Sequence, residues 1–293
     1  MRIFFKDYFR PLLFALLIAL IHFGLWWVVN RALPLIDAPR IVHGFAYSGY
    51  QLGQSPLEKR YPSTAELLDD LQMLKPYTDH IRTYGSLENP EVIPLASNLG
   101  MTVMAGAWLS GDSIDNEREI SALIAKIKSY PHIQRAIVGN EVLLRTDLTV
   151  EQMIRYLDRV REEVAVPVST AEPWHVWLKN PELVKHVDFI AVHLLPYHEG
   201  IPIENALDYA MQRYQELMEA YPRKKIVITE IGWPSKGPAI GAAVASQVNQ
   251  ARFVREFLAR TAHQNFDYYL MEAIDQPWKV EVEGWAGAYW GMF

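Results

Sequence analysis

The chain has 293 residues, of which 50% are hydrophobic and 21% are charged, so it can form a large globular domain and is too apolar for intrinsic disorder. Its net charge of −6 and its lack of basic runs argue against a nucleic-acid partner, which would need a positive surface. The absence of cysteine excludes disulfides, thiolate metal sites and cysteine nucleophiles.

The first 40 residues form a segment of their own. Residues 11–29, PLLFALLIALIHFGLWWVV, contain no charge and are long enough to cross ~30 Å of hydrocarbon. Three basic residues precede this run, Arg2, Lys6 and Arg10. The positive-inside rule then places the N-terminus in the cytoplasm and the later residues outside. A cleaved signal peptide and a buried soluble helix are the alternatives, but no clear A-x-A cleavage site follows. We therefore predict a transmembrane anchor and linker over residues 1–40.

From residue 41 onward, short apolar runs alternate with amphipathic helical patterns. Eight runs have the length and composition of strands: 41–48, 80–85, 102–108, 136–141, 166–172, 188–197, 225–233 and 267–275. Such an alternation predicts a parallel sheet covered by helices on both faces. Eight strands in about 250 residues predict an α/β fold, a closed (β/α)8 TIM barrel over residues 41–293. An open doubly wound sheet is the alternative, but no Gly-rich phosphate turn follows the first strand.

Polar and aromatic side chains are concentrated where the predicted strands end, which is where barrel enzymes place their catalytic groups. These residues are Tyr47, Arg82, Tyr84, Trp108, Asp112, Asn140, Glu141, Glu172, Trp174, His193, Tyr197, Glu230, Trp233, Glu272, Asp275, Trp278 and Lys279. Carboxylates can perform acid–base and nucleophilic chemistry on a glycosidic bond. Indole rings can stack on sugars, although core packing is the alternative for each of them. The combination indicates a carbohydrate-active site.

Two glutamates end strands that otherwise look buried. Glu141 ends AIVGNE on the fourth strand, and Glu230 lies at the end of IVITE on the seventh. The ends of these strands face one another across the mouth of an eight-stranded barrel. Glycoside cleavage needs such a pair, and a separation of ~5–5.5 Å leads to retention of configuration. Structural ion pairing is the alternative interpretation of both residues.

The motifs VGNE and ITEIGWPS resemble the two catalytic motifs of glycoside hydrolase family 17, the β-1,3-glucanase family of clan A. The run MEAIDQPWK on the eighth strand and the following AYWGMF resemble its fungal and bacterial branch. The resemblance covers about residues 41–293, the whole predicted barrel. It implies that the substrate is a β-glucan oligosaccharide or polysaccharide, and we expect no cofactor. We also expect no metal, because HVDFIAVH supplies two histidines, the second being His193, but no third ligand at a fitting spacing.

The resemblance also implies roles for individual residues. Glu141 matches the general acid/base and Glu230 the nucleophile, while Asn140 matches the group that hydrogen-bonds the sugar 2-hydroxyl. We expect the pKa of Glu141 to be raised by an ionised Glu230 beside it. Tyr197 is expected to orient the nucleophile. The other predicted substrate-binding residues are Tyr47, Arg82, Tyr84, Trp108, Trp233, Glu272, Trp278 and Lys279, with Trp233 and Trp278 as candidate acceptor subsites.

The sequence therefore predicts a retaining β-1,3-glucan-active enzyme, anchored in the inner membrane of a Gram-negative bacterium with its barrel in the periplasm. Bacterial relatives with such an anchor often continue into further membrane helices and a glycosyltransferase module. Because this sequence stops soon after the eighth strand, we expect a longer natural chain and that module as a partner. This context favours a β-glucan glucanosyltransferase. Endo or exo hydrolysis is the first alternative, and a non-catalytic glucan-binding barrel that guides polymer export is the second.

Overall fold

The computed structural model of the protein describes residues 2–31 and 36–293, with side chains from residue 8 onward. It divides into two units, residues 1–36 and 37–293. Residues 32–35 of the predicted linker lie outside the described part.

The first unit contains helix α1 (Arg2–Val29). Over Tyr8–Val29 the mean hydropathy is 2.4 and the residues are not buried, so the helix is long and apolar enough to cross a membrane. A signal sequence near an N-terminus meets the same criterion. The predicted apolar helix is therefore confirmed, and its length and composition fit either role.

The second unit is a closed barrel. Within residues 36–293, eight parallel strands follow one another around it in chain order. They are β1 (Gly44–Ala46), β2 (His80–Arg82), β3 (Thr102–Ala107), β4 (Ile133–Asn140), β5 (Val168–Pro173), β6 (Phe189–Leu194), β7 (Lys225–Ile231) and β8 (Tyr268–Leu270). Strand β8 closes the barrel by pairing with β1, with Gly44 opposite Tyr269. The predicted (β/α)8 architecture is confirmed, although β1, β2 and β8 have only three residues each and are shorter than the sequence indicated.

Helices connect the strands and cover the barrel. They are α2 (Thr64–Leu74), α3 (Val92–Asn98), α4 (Ser113–Ser129), α5 (Val150–Glu163), α6 (Trp174–Lys179), α7 (Ile203–Ala220), α8 (Gln247–Thr261) and α9 (Val280–Gly287). Helix α2 begins at a capping box: the Glu66 amide donates to Ser63 Oγ, and the Ser63 amide donates to the Glu66 carboxylate. Its buried leucines repeat every three or four residues, so one face packs on the sheet.

The core has two layers. Seven buried side chains form a cluster apart from the main core: Met104, Ile137, Ala171, Phe189, Ala191, Val227 and Tyr269. They come from β3 to β8, and we assign them to the interior of the barrel, where inward-facing residues form a packed core. The larger cluster combines residues of the strands with residues of the helices. Both layers hold the strand ends in fixed positions.

Strand pairing is irregular close to the predicted catalytic residues. The register shifts between Ile137 and Asn140 on β4, between Val192 and His193 on β6, and between Ile228 and Ile231 on β7. Irregularities of this kind change the direction of side chains and are common beside active sites. They direct polar groups at the carboxyl ends of these strands toward the mouth.

The opposite, amino end of the barrel is closed by an ion-pair network around Asp267. Its carboxylate lies 2.7 Å from Lys225 Nζ and 3.5 Å from His43 Nε2, and it accepts a hydrogen bond from Arg135. Burial alone would raise the pKa of Asp267, but these hydrogen bonds and the charge of Arg135 hold it far below its usual range. The network joins the starts of β4, β7 and β8.

Candidate active site

Glu141 lies in a tight turn directly after β4. It has a φ of 53°, in the left-handed region that few residues with a side chain adopt. Gly139, two residues earlier, has a φ of 80°, and a Cβ there would come within 2.5 Å of the Val142 side chain. The buried carboxylate of Glu172 on β5 accepts hydrogen bonds from the amides of Leu143 and Leu144, at 2.8 and 3.3 Å. This arrangement fixes the backbone that presents Glu141, whose side chain is 26% exposed.

Glu230 lies at the end of β7 and is almost fully buried. Arg82 from β2, itself completely buried, donates a 2.7 Å hydrogen bond to Glu230 Oε1. The same guanidinium donates to Asn140 Oδ1 and to the Thr229 carbonyl. Arg82 therefore joins the end of β4 to the end of β7, and its predicted contact with substrate stays a prediction.

His193 lies between the two glutamates. Its Nδ1 atom is 2.8 Å from Glu141 Oε1 and 3.5 Å from Glu230 Oε2, and its side chain is fully buried. One oxygen of each carboxylate and a ring nitrogen of His193 lie within 4.8 Å of one another. The structure thus brings the two predicted catalytic glutamates together at close to the separation found in retaining glycosidases, ~5–5.5 Å.

The electrostatics of Glu141 differ from the prediction. Burial alone would raise its pKa, but the hydrogen bond and charge of His193 outweigh burial and hold the pKa of Glu141 below its usual value. The expectation of a raised pKa was wrong because it considered Glu230 and ignored the imidazole. Among the neighbouring acids, burial raises the pKa of Glu172 to about 7 and that of Glu272 to about 7.

Glu141, His193 and Glu230 also have the spacing to hold a metal ion. Whether a cation would bind there depends on the charges around these three groups. Glu230 already accepts a hydrogen bond from the guanidinium of Arg82, and this fixed positive charge opposes a cation beside the same carboxylate. The donor set fits acid–base and nucleophilic work better than metal binding.

A second group of buried polar residues lies next to Glu230. Lys279 Nζ is 3.0 and 3.1 Å from the two carboxylate oxygens of Glu272, and both side chains are buried. The guanidinium of Arg82 lies 4.7 Å from the ring centre of Tyr84, and Lys279 Nζ lies 5.6 Å from it. Burial raises the pKa of Tyr84 well above its usual value, and the charge of Glu230 adds to this effect. Of the tyrosines predicted for the site, Tyr84 is the one that lies beside Glu230.

Tyr197 and Trp233 do not have the predicted roles. Tyr197 is fully buried, and its hydroxyl donates to the Pro238 carbonyl rather than to Glu230. Trp233 is also fully buried, and its indole donates a 3.0 Å hydrogen bond to the Val244 carbonyl. Their rings pack edge to face, 5.5 Å apart, beneath the loop that follows β7. Both predictions are corrected: these aromatics fill the core.

The remaining predicted aromatics differ in exposure. Tyr47 is buried and donates a 2.9 Å hydrogen bond to Asp70, so its hydroxyl is already occupied and the predicted substrate contact is corrected. Trp108 is 40% exposed, with a guanidinium 4.6 Å from its ring centre. Trp278 is partly exposed, and its indole nitrogen donates a 3.0 Å hydrogen bond to Gln276. Trp108 and Trp278 therefore stay candidates for contact with a sugar.

The guanidinium over Trp108 belongs to Arg145, which the sequence prediction missed. It donates to the carbonyls of Asn140 and Leu109 and to the carboxylate of Asp147. Arg145 therefore holds the turn that carries Glu141. Its place four residues after Glu141, in a loop beside the site, was the available signal.

Residues 44–291 match the family model described as the BtgE/BtgC glycoside hydrolase domain. The chain belongs to this family. A solved glycoside hydrolase family 17 β-1,3-glucanosyltransferase from Rhizomucor miehei is 30% identical, with a TM-score of 0.75, over 86% of this chain and 92% of that chain. An active-site mutant of the Rhizomucor miehei enzyme has been solved with laminaritriose. The predicted resemblance to family 17 is confirmed.

Curated relatives of this chain agree with this assignment. A glucan 1,3-β-glucosidase of Schizosaccharomyces pombe is 29% identical over 250 residues, which are 77% of each chain. A probable glucan endo-1,3-β-glucosidase btgC of Aspergillus clavatus is 26% identical over 292 residues, 87% of this chain. The match spans 41% of the Aspergillus protein, so this chain corresponds to less than half of that relative's length.

Proposed function

We propose that the barrel is a retaining β-1,3-glucan-active enzyme that transfers glucanosyl groups from one glucan chain to another. The observation that carries this proposal is the convergence of Glu141 and Glu230, whose nearest described oxygens lie within 4.8 Å across the mouth. The β-1,3 linkage is supported by the names of the relatives, which act on 1,3-β-glucan, and by the laminaritriose bound to the Rhizomucor miehei enzyme.

In the first step, the carboxylate of Glu230 attacks the anomeric carbon while Glu141 protonates the departing glycosidic oxygen. The product is a covalent glucosyl ester on Glu230 and a free shortened glucan. The hydrogen bond from Arg82 fixes the orientation of Glu230, and Asn140, held by the same guanidinium, is placed to contact the sugar 2-hydroxyl.

In the second step, the ionised Glu141 removes a proton from an incoming hydroxyl, which attacks the anomeric carbon and releases Glu230. If the hydroxyl belongs to another glucan, the chain is transferred, and if it belongs to water, the chain is hydrolysed. We favour transfer because the Rhizomucor miehei structure is of a glucanosyltransferase. Hydrolysis is the second candidate, favoured by the glucosidase name of the Schizosaccharomyces pombe relative. The converging glutamates argue against a purely glucan-binding barrel.

The residues that bind substrate in this proposal surround the glutamates. Tyr84, Glu272 and Lys279 lie on the side of the nucleophile, with Lys279 Nζ 5.6 Å from the Tyr84 ring centre and hydrogen-bonded to Glu272. Trp108 lies on the side of β3, next to the turn of the acid, and offers an exposed indole face. Trp278 supplies a further partly exposed ring beside Lys279.

The proposed location follows from helix α1. Three basic residues at its N-terminus and an uninterrupted apolar run suit a membrane anchor with the barrel on the non-cytoplasmic side. The inner membrane and periplasm of a Gram-negative bacterium, and a glycosyltransferase module as a partner, stay predictions.

The test is a product analysis of the purified chain with laminaripentaose. Wild-type protein and Glu230→Gln are compared by mass spectrometry, with NMR to identify the linkages. Products longer than the pentasaccharide, absent in the variant, are the expected result. Shorter products alone would replace transfer by hydrolysis. A folded wild-type protein that leaves the pentasaccharide unchanged would contradict the proposed activity.

A further inference from the structure

An aromatic pair, an exposed tryptophan and a half-buried tyrosine, lies in the segment that follows β8. The rings of Trp285 and Tyr289 are parallel within 6°, with centroids 6.1 Å apart. The ammonium of Lys236 lies 4.9 Å from the first ring centre and 4.7 Å from the second. Trp285 nevertheless leaves 55% of its surface exposed. These three residues, called the aromatic platform here, are absent from the site described above.

Contacts between two loops hold the platform in place. The Ser235 amide donates a 2.7 Å hydrogen bond to the Tyr289 carbonyl. Gly237 lies so close to Ala286 that a Cβ would come within 2.9 Å of its Cα atom. The loop after β7 and the segment after β8 are therefore packed together, and the platform cannot rotate freely as a lone surface tryptophan would.

The position of the platform relates it to the catalytic pair. Lys236 follows Glu230 by six residues, so the chain allows at most ~20 Å between their Cα atoms. Trp108, the exposed indole of β3, lies on the opposite side of the barrel, since β3 and β7 are four strands apart in the closed order. The mouth thus has an exposed indole on the side of the acid and another on the side of the nucleophile.

A purely structural role does not account for this arrangement. A buried aromatic ring contributes about 1.5–3 kcal/mol through the removal of apolar surface from water, and Trp285 forgoes much of that contribution. Scattered exposed apolar residues are common. Here, however, the ring is held by stacking and by a cation, which prepares a flat apolar face for a ligand.

We propose that the aromatic platform is a glucan subsite remote from the bond that reacts. It would stack the indole of Trp285 against the C–H face of a glucosyl unit while Lys236 donates to a hydroxyl. The ligand is a neutral β-glucan chain of several units that extends from the pocket of Glu230 and Glu141. This inference rests on the proposed function, since it names a further contact of the same substrate.

The experiment measures binding by calorimetry in the Glu230→Gln background, where the oligosaccharide is not consumed. The probes are laminarihexaose and laminaribiose, the second being too short to contact both the catalytic pocket and the platform. Adding Trp285→Ala is expected to weaken hexasaccharide binding about five- to tenfold, the size of a lost aromatic contact. Disaccharide affinity is expected to change less than about twofold.

Two further variants provide controls. Val282→Ala removes another exposed apolar side chain of α9, outside the platform, and leaves hexasaccharide affinity unchanged. Trp285→Phe retains a flat ring and restores most of the affinity. Equal affinity of Glu230→Gln with and without Trp285→Ala, or equal losses for both oligosaccharides, would overturn the subsite. If wild-type protein forms products from laminaripentaose while the subsite test fails, the proposed function is kept and the subsite is rejected. Absence of both products and binding overturns both proposals.

Discussion

The two ends of the barrel hold buried carboxylates in opposite electrostatic environments. At the amino end, Asp267 is surrounded by Lys225, Arg135 and His43, and its pKa lies far below the usual range. At the carboxyl end, burial outweighs the available partners, and the pKa of Glu172 and of Glu272 is raised to about 7.

The difference shows how one fold separates stability from chemistry. A carboxylate surrounded by cations stabilises the folded state and has no proton to give near neutral pH. Carboxyl groups crowded into a low-dielectric pocket have pKa values that spread apart, which is the condition for acid–base catalysis. In a barrel, substitutions at the amino end are therefore expected to change the free energy of unfolding, and substitutions at the carboxyl end to change the rate of turnover.

The largest expected effect is that of Glu230→Gln at the carboxyl end. An amide cannot form the glucosyl ester, so kcat/KM for laminaripentaose should fall by at least about 10⁴-fold. Asp267→Asn is the matched control, because it makes the same carboxylate-to-amide change at the amino end. It should alter kcat/KM less than about threefold. Comparable losses of kcat/KM in the two variants would contradict the assignment of catalysis to the carboxyl end alone.

Glu141→Gln is expected to have the next largest effect. Loss of the acid should lower kcat/KM for glucan about 10²–10⁴-fold, because the departing sugar oxygen is no longer protonated. A β-glucoside with an acidic phenol as leaving group needs no such proton, so its first step should be affected far less. Rates for both substrates are measured under single-turnover conditions. Equal losses on the two substrates would contradict the role of Glu141 as acid.

The amino end is tested by the stability of Asp267→Asn. Removing one partner of a mostly buried ion network should lower the free energy of unfolding by about 2–3 kcal/mol at pH 7. Because the folded-state pKa of Asp267 is depressed, its contribution is present above the unfolded value of about 3.9 and is lost as the pH falls below it. The difference in unfolding free energy between wild type and Asp267→Asn, measured by urea titration, should therefore be smaller at pH 3 than at pH 7. A difference that does not depend on pH would contradict a depressed folded-state pKa for Asp267.

The smallest expected effect concerns His193→Asn. Without the imidazole, burial is no longer offset, so the pKa of Glu141 should rise. The alkaline limb of the kcat/KM profile reports loss of the proton from the acid and should move to higher pH. We expect the maximal rate to fall only about tenfold, since His193 positions the glutamates and does not react. An unchanged limb with a lowered rate would mean that His193 has no electrostatic influence on Glu141.

Much of this architecture could be predicted from the sequence. Apolar runs that alternate with amphipathic segments identified the strands of the barrel, because both signals depend on residues close in the chain. Glu141 and Glu230 were identifiable because the first directly follows a buried strand and the second lies near the carboxyl end of another. The limits of β1 and β8 were less accurate, since only three residues of each pair in the sheet.

The features that could not be predicted depend on contacts between distant residues. Trp233 and Trp285 both follow a glycine, yet Trp233 is fully buried and Trp285 is 55% exposed. Tyr84 rather than Tyr197 lies beside Glu230, as the contacts of Arg82 with both the Tyr84 ring and the Glu230 carboxylate show. The lowered pKa of Glu141 depends on a 2.8 Å contact with a residue 52 positions away. Composition and spacing contain no information on any of the three.

The left-handed backbone of Glu141 has a consequence for how such a domain could change over generations. A side chain in this conformation costs about 1 kcal/mol, and asparagine or glycine would adopt it with less strain. Substitution of the acid can therefore leave a barrel that folds as well as its parent or better, but no longer turns over glucan. A lineage that needed only to hold the polysaccharide could arise by one such replacement, with little selection against it from misfolding.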